Sequence, residues 1–514
     1  MKKENFYVGL FFLILMCIGV FVFSDYGIPY DEPIQRQIGE YSFNYVFNGN
    51  QSLFNYKNKY YGVAFELPLI IFEKILNLTD LRDVFLMRHF CTFLVFFIGA
   101  YFFFKICKNH FENWKLGIVG SLLLVLSPRI FADSFYNSKD IVFLSVFIIS
   151  IYTLIKFIEI KSLFRAFVHA LICAILIDIR ILGVLVPGMT FLFFCSDLIC
   201  GWKKKSVEKT IFNYILFGII LILLVICFWP LLWKDSIYNF VQVFKRMSHY
   251  PWRNTVLYLG TYIPAQNVPW HYIPVWLIIT TPILYTLLFF LGLLNLIISY
   301  LKNKWNNYST IQKKENIIFC LWFLIPLFYV IISRAVLYDA WRQMFFIYPA
   351  FLIIGLEGIV RIFNGIKSIG DKWKILNYMI SVFIISNLFF ILFFMIHNHP
   401  HQNVYFNFLA GNPEEIRNNY ELDYWGLSYG KALKEILKKD KRSTIRIAVE
   451  NYPGEINSFL IDASDRARLK YVSGVSEADY FLTNYRWHKN DYDYSEFFSI
   501  KVDGIKIMGV YKIK

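Results

Sequence analysis

The sequence predicts a polytopic α-helical membrane protein that carries a small α/β domain at its C-terminal end. Three observations carry that reading. Of 514 residues, 57% are hydrophobic and only 17% charged, against roughly 25% charged in an ordinary soluble domain. The apolar residues fall into unbroken blocks such as FYVGLFFLILMCIGVFVF and IFNYILFGIILILLVICFW, each near the roughly 20 residues that cross a bilayer. Beyond about residue 397 the composition shifts to Tyr, Asp, Glu and Lys.

Apolar blocks lie near residues 5–23, 84–104, 116–127, 140–157, 164–178, 181–200, 211–230, 273–300, 316–333, 344–361 and 376–396, about eleven transmembrane helices. The first is followed by Ser24, Asp25 and Tyr26 rather than a small-x-small cleavage site, and reads as a retained anchor. Alternate threading collects Lys2 and Lys3, Lys105 to Lys115, Lys156 to Arg165, Lys203 to Lys209, Lys302 to Lys314 and Arg361 to Lys374 on one face. Short basic connections of this kind are cytoplasmic, and they explain the net charge of +15 without nucleic acid. The N-terminus is then inside, in a plasma or inner membrane. Loops of about 24–83 and 231–272 share the outer face with the tail, which divides the chain into a membrane domain, 1–396, and an extracytoplasmic α/β domain, 397–514.

In the tail, helices are predicted at GKALKEILKKD and near GEINSFLIDASDRARL, strands at STIRIAVE and ADYFLTN, and a closing hairpin at FFSIKVDGIKIMGVYKI, whose Asp503-Gly504 pair suits a tight primed turn. The eight cysteines all sit in or beside apolar blocks and read as small hydrophobes. No Walker, G-x-G-x-x-G or G-x-S-x-G element is present, so nucleotide hydrolysis and serine-hydrolase chemistry lack support.

The chemistry is to be sought among the outward charges. Asp31 and Glu32 stand between Pro29 and Pro33 directly after the first span. They read as a general base or a metal site, with Asp31 as a helix N-cap the plainer alternative. Glu66, in an apolar stretch, needs a wet cavity or a cation, and Arg88 in the second span needs a carboxylate or a ligand phosphate. SPRIFADSFYNSKDI brings Arg129, Asp133, Lys139 and Asp140 into one turn region, where the charges either pair with each other or, for Arg129, meet phosphate. Arg180 and Arg342 begin or end spans, where a lipid phosphate or a plain interfacial anchorage would use them. In the second outer loop Trp252 and Trp270 follow prolines, with Arg253, His249 and His271 beside them. Such a run lines a sugar site or forms an interfacial aromatic belt. His397, His399 and His401 are spaced for a metal if the segment is extended. A divalent metal is the one cofactor that these patterns raise, and none is required by them.

An acidic YDE motif after the first span, an FELP stretch, an arginine in the second span and then SPRIFADS, in that order, resemble the dolichyl-phosphate-mannose protein mannosyltransferases and their bacterial relatives among the GT-C glycosyltransferases. The resemblance covers about the first 200 residues and, more loosely, the Pro-Trp loop. It implies a GT-C-like fold, Asp31 as catalytic base, and Arg88 and Arg342 near the donor phosphate. The chain has Glu66-Leu67-Pro68 where eukaryotic members have an HPP-like sequence, lacks their large late loop and carries a different C-terminal module. Residues and resemblance together predict inverting transfer of a sugar from a polyprenyl-phosphate donor to an acceptor hydroxyl, on protein, lipid or glycan, at the outer face of the bilayer. The rival class is a transporter or flippase of a lipid-linked glycan or small anion. Transport calls for charge or helix breaks near the midplane of several spans, whereas here charge gathers at the outer ends.

Overall fold

The computed structural model describes residues 2–201, 207–248, 250–302, 308–369 and 374–514. His249 and parts of the basic stretches 203–209, 302–314 and 361–374 lie outside the described residues. The first half runs through α1 (Lys2–Val22), α2 (Glu32–Asn48), α3 (Glu66–Ile75), α4 (Leu81–His110), α5 (Trp114–Val125), α6 (Pro128–Tyr136), α7 (Asp140–Glu159) and α8 (Leu163–Ile179). It continues through α9 (Leu185–Gly201), α10 (Val207–Phe228), α11 (Ser236–Ser248), the hairpin β1 (Thr255–Tyr258) and β2 (Thr261–Pro264), and α12 (Tyr272–Thr280). The last membrane helices are α13 (Ile283–Leu301), α14 (Thr310–Ile332), α15 (Tyr348–Ile369) and α16 (Lys374–His397).

Every predicted apolar block contains a helix. Among the described residues nine helices are long and apolar enough to cross a membrane, or ten if the bent pair α5 and α6 is one span. The prediction of about eleven counts α8 as well, whose 17 residues extend about 26 Å at 1.5 Å per residue, short of a ~30 Å hydrocarbon layer. Prolines set two breaks that hydropathy does not show. Pro128 opens α6, and because the residue before a proline is driven to extended backbone, Ser127 (φ −95°, ψ 104°) turns the chain by 72°. Pro282 does the same at Thr281, dividing the predicted 273–300 span into α12 and α13.

Among the described residues, the basic connections around 105–115, 156–165 and 308–314 lie at the end of the bundle that carries the N-terminus. Lys108 reaches Glu4, Gln312 donates to the His110 carbonyl at 2.9 Å, and Lys161 and Lys314 share Asp197 at 3.1 and 3.2 Å. The opposite end carries α2, α3, α6, the β1–β2 hairpin and the tail.

In the tail, α17 (Pro413–Asn419) and α18 (Ser428–Lys439) precede β3 (Ile445–Val449), β4 (Leu469–Tyr471), β5 (Tyr480–Thr483), β6 (Ser495–Val502) and β7 (Ile505–Lys512). These strands form one sheet in the order β4-β3-β5-β7-β6, with β3 parallel to both neighbours and the β6–β7 hairpin antiparallel. Asp503 (φ 48°) and Gly504 (φ 81°) make the primed turn expected of that pair. The predicted helix over GEINSFLIDASDRARL is instead three short turns, at Pro453–Ile456, Asn457–Leu460 and Ala463–Arg466. Asn457 explains the interruption: its side chain accepts from Ile28 N–H at 3.0 Å and donates to the Ile28 carbonyl at 2.9 Å, a long-range tie between tail and first loop.

Candidate active site

The site is built where α2, α7, the segment before α15 and the tail converge. Asp31 immediately precedes α2 yet makes no side-chain cap bond, so the N-cap reading is set aside. Its carboxylate lies 3.5 Å from Lys139 Nζ and 3.3 Å from Arg342. Burial pushes its pKa up, but Lys139 and Arg342 outweigh that and hold it below the ordinary carboxylate value, so Asp31 is ionised.

Arg342 is the hub. Its guanidinium donates to Asp140 at 2.8 Å and to Asp339 at 2.8 and 3.1 Å, and its flat face lies 4.5 Å from the Trp425 ring. Asp140 also holds Arg180, and Asp339 also accepts from Arg486 of the tail at 2.6 Å. The result is a row of alternating charge, Arg486–Asp339–Arg342–Asp140–Arg180, with Asp31 and Lys139 beside its middle. Asp339 (φ 57°) and Ala340 (φ 59°) are consecutive left-handed residues without being glycine, a backbone costing roughly 1–2 kcal/mol each. Two arginines gripping Asp339 offset it.

Two cavities meet beside Asp31. One, of about 220 Å³, is an apolar cleft walled by side chains such as Leu182, Leu185, Trp229, Val330 and Leu337, with Lys139, Arg180 and Arg342 also lining it. The other, of about 320 Å³, is a polar chamber that includes Asp31, Gln35, Asn58, Trp252, Arg486 and Trp487. Lys139, Tyr60, Tyr61, Met247, Tyr250 and Tyr338 border both.

Other predicted residues lie elsewhere. Glu32, Glu66 and Arg88 are buried together: Arg88 bonds Glu66 at 2.5 Å and Glu32 at 3.3 Å, and His89 meets Glu32 at 3.1 Å. Of the two partners left open for Arg88, carboxylates hold Nε and Nη2, while Nη1 has no hydrogen-bond partner among the described residues. Glu32 and Glu66 are correspondingly placed as its counter-ions, Glu66 also accepting from Ser138 at 2.8 Å, and this locks α2 and α3 against α4. Asp133 accepts from Tyr136, Asn137 and Trp425, which steadies Trp425 against Arg342. Arg129 donates to the Tyr405 carbonyl at 3.1 Å and sits 4.8 Å from the Phe406 ring, behind the site and bordering neither cavity. Of the charges expected to pair in this turn region, Lys139 meets Asp31, and Asp140 is held by Arg180 and Arg342.

In the aromatic loop Trp252 stacks on Tyr338 with centroids 4.4 Å apart. Trp270 is 69% exposed and Arg253 is also exposed, while the His271 ring shares a hydrogen bond with the Tyr258 hydroxyl at 2.6 Å; none of the three borders either cavity. The histidine run diverges because α16 extends through His397, which stacks on Phe393, while His399 bonds Asp25 at 2.8 Å. Burial drives His401 down to about 3, so it is neutral. Among the described residues no three His, Cys, Asp or Glu side chains converge as metal ligands would. Sequence reasoning missed Asp339, Arg486, Tyr61, Tyr338 and Trp487.

Buried Glu421 stands near this network, beside Asp339. Burial first, then Asp339, raises it from 4.5 to about 8. A raised acid costs stability as pH climbs from its unfolded value through its folded one. Glu421→Gln is therefore expected to raise the melting temperature at pH 9 and leave it unchanged below pH 4.5, as read by unfolding in detergent; an equal shift at both would mean that ionisation plays no part.

No family model and no curated protein matches this chain. Among solved structures the chain is similar to ArnT from Cupriavidus metallidurans bound to undecaprenyl phosphate, at 9% identity and a TM-score of 0.49, over 98% of each chain.

Proposed function

We propose that this protein is a GT-C-like glycosyltransferase that moves a sugar from a polyprenyl-phosphate donor to an acceptor hydroxyl. One observation carries the reading: an apolar cleft and a polar chamber share a border at Lys139, which pairs with an ionised carboxylate, Asp31, that also meets Arg342. A polyprenyl chain fits the first, a sugar and its acceptor the second, and the phosphate joining them falls among Lys139, Arg180 and Arg342. Arginine's planar fork suits a phosphate.

Asp31 takes the acceptor proton as the acceptor oxygen bonds the anomeric carbon. The bond from that carbon to the phosphate oxygen breaks, and the cations hold the polyprenyl phosphate that departs. A single displacement inverts the anomeric centre. Docking of the donor also shares out the two cations that depress Asp31, so its basicity rises when the substrate is present. The test is purified full-length protein in detergent with a polyprenyl-phosphate-linked sugar and a panel of hydroxyl-bearing acceptors: free polyprenyl phosphate and glycosylated acceptor are expected to accumulate together. An intact donor, combined with movement of the lipid-linked sugar across vesicles, would establish transport instead.

This reading puts the site and tail outside and the basic end in the cytoplasm. A reporter that works only outside the cytoplasm, fused after Lys514, is expected to be active. Activity of a cytoplasmic reporter at that position would reverse the orientation and remove an extracytoplasmic lipid-linked donor from the account.

A further inference from the structure

The acceptor's chemistry follows from the chamber wall that a lipid phosphate does not use. Trp487 lies in the β5–β6 connection, directly after Arg486. That arginine is pinned by Asp339 at 2.6 Å and by the Tyr424 carbonyl at 2.7 Å, and its guanidinium sits 4.7 Å from the Trp487 ring. The backbone at Trp487 is thus held, yet the residue is 37% exposed and lines a chamber of mixed polar and aromatic side chains. Trp252, on the same chamber, lies nearly parallel to Tyr338, at 11°. Neutral amides stand with them, Gln35, Asn58 and Asn254.

Flat aromatic faces beside amide hydrogen-bonders suit a pyranose or furanose ring, whose C–H face stacks on an aromatic and whose hydroxyls both donate and accept. A peptide added as a strand or laid in as an amphipathic helix calls for a strand edge or an apolar groove, whereas the residues bordering the chamber lie in loops and helices. We infer that the acceptor is a glycan, and that the tail domain selects it by stacking one sugar ring on Trp487. The inference rests on the transferase reading and gives the tail a direct part in it: Arg486 is a positioning residue and Trp487 a specificity residue.

The experiment uses full-length protein in detergent on an array of immobilised oligosaccharides and Ser/Thr peptides, with a parallel thermal-shift titration against polyprenyl phosphate. Wild type is expected to retain a subset of the glycans and not the peptides. W487A should weaken that retention roughly tenfold, the loss of one central aromatic anchor. W487F should recover most of it, and the shift with polyprenyl phosphate should stay unchanged in both variants, since Trp487 does not border the apolar cleft. Glycan retention equal in wild type and W487A, no glycan retained at all, or peptides retained as well as glycans would each overturn the inference while leaving the transferase standing. Absence of any shift with polyprenyl phosphate in wild type would remove the transferase reading and this inference with it.

Discussion

Asp31→Asn is expected to lower sugar transfer by on the order of 100-fold or more while leaving the protein folded and inserted, because it keeps the shape of the side chain and removes its basicity. The fold should tolerate the change: Asp31 is 27% exposed on its side chain, its contacts to Lys139 and Arg342 are long at 3.5 and 3.3 Å, and Arg342 retains Asp140 and Asp339. The acid limb of kcat/KM, which reports the free protein, should lie below the ordinary carboxylate value, where Asp31 is still ionised. The measurement is the initial rate of polyprenyl-phosphate release by the purified variant, alongside its unfolding temperature. A variant with near-normal turnover would end Asp31's role as base and direct the search to Asp140 or Asp339.

Arg342 should produce the larger structural effect. Arg342→Leu leaves Asp140 and Asp339, both buried, short of their common partner, a loss of about 3–5 kcal/mol when one member of a buried pair is removed. Arg342→Lys keeps the charge, but one ammonium cannot reproduce a fork that reaches Asp140 at 2.8 Å on one nitrogen and Asp339 on two others. The geometry predicts losses in both donor use and stability. Unfolding temperature and donor titration together decide it. Wild-type values of both in Arg342→Lys would reduce Arg342 to a point charge.

The membrane part was legible because charge inside apolar sequence is costly and therefore placed deliberately. Lys139, Asp140, Arg180 and Arg342 stand out for that reason, and the structure brings them together with Asp31. The same rule could not say which charges answer each other: Glu32 and Glu66 both pair with Arg88, and only packing of α2 and α3 on α4 reveals it. Trp270 and Trp252 carry the same Pro-Trp signature, yet one is exposed and the other stacks on Tyr338, a difference set by the β1–β2 hairpin between them. Asp339 and Arg486 are 147 positions apart, and in the sequence each is an ordinary polar-segment charge. The helix breaks at Ser127 and Thr281 were legible in principle from the following prolines, but block hydropathy averages over them.

The alternating row from Arg486 to Arg180 also constrains how this protein can change over evolutionary time. Each interior member serves two neighbours, so a single substitution strands a buried charge on one side or both. Drift along the row is then slow one residue at a time and open only through paired exchanges, an acid and a base lost or swapped together, with the coupling strongest between direct neighbours. In distant descendants, positions 339 and 486 should accordingly vary as a unit, and a tail domain exchanged for another would have to bring its own cation for Asp339 or arrive with that aspartate already gone.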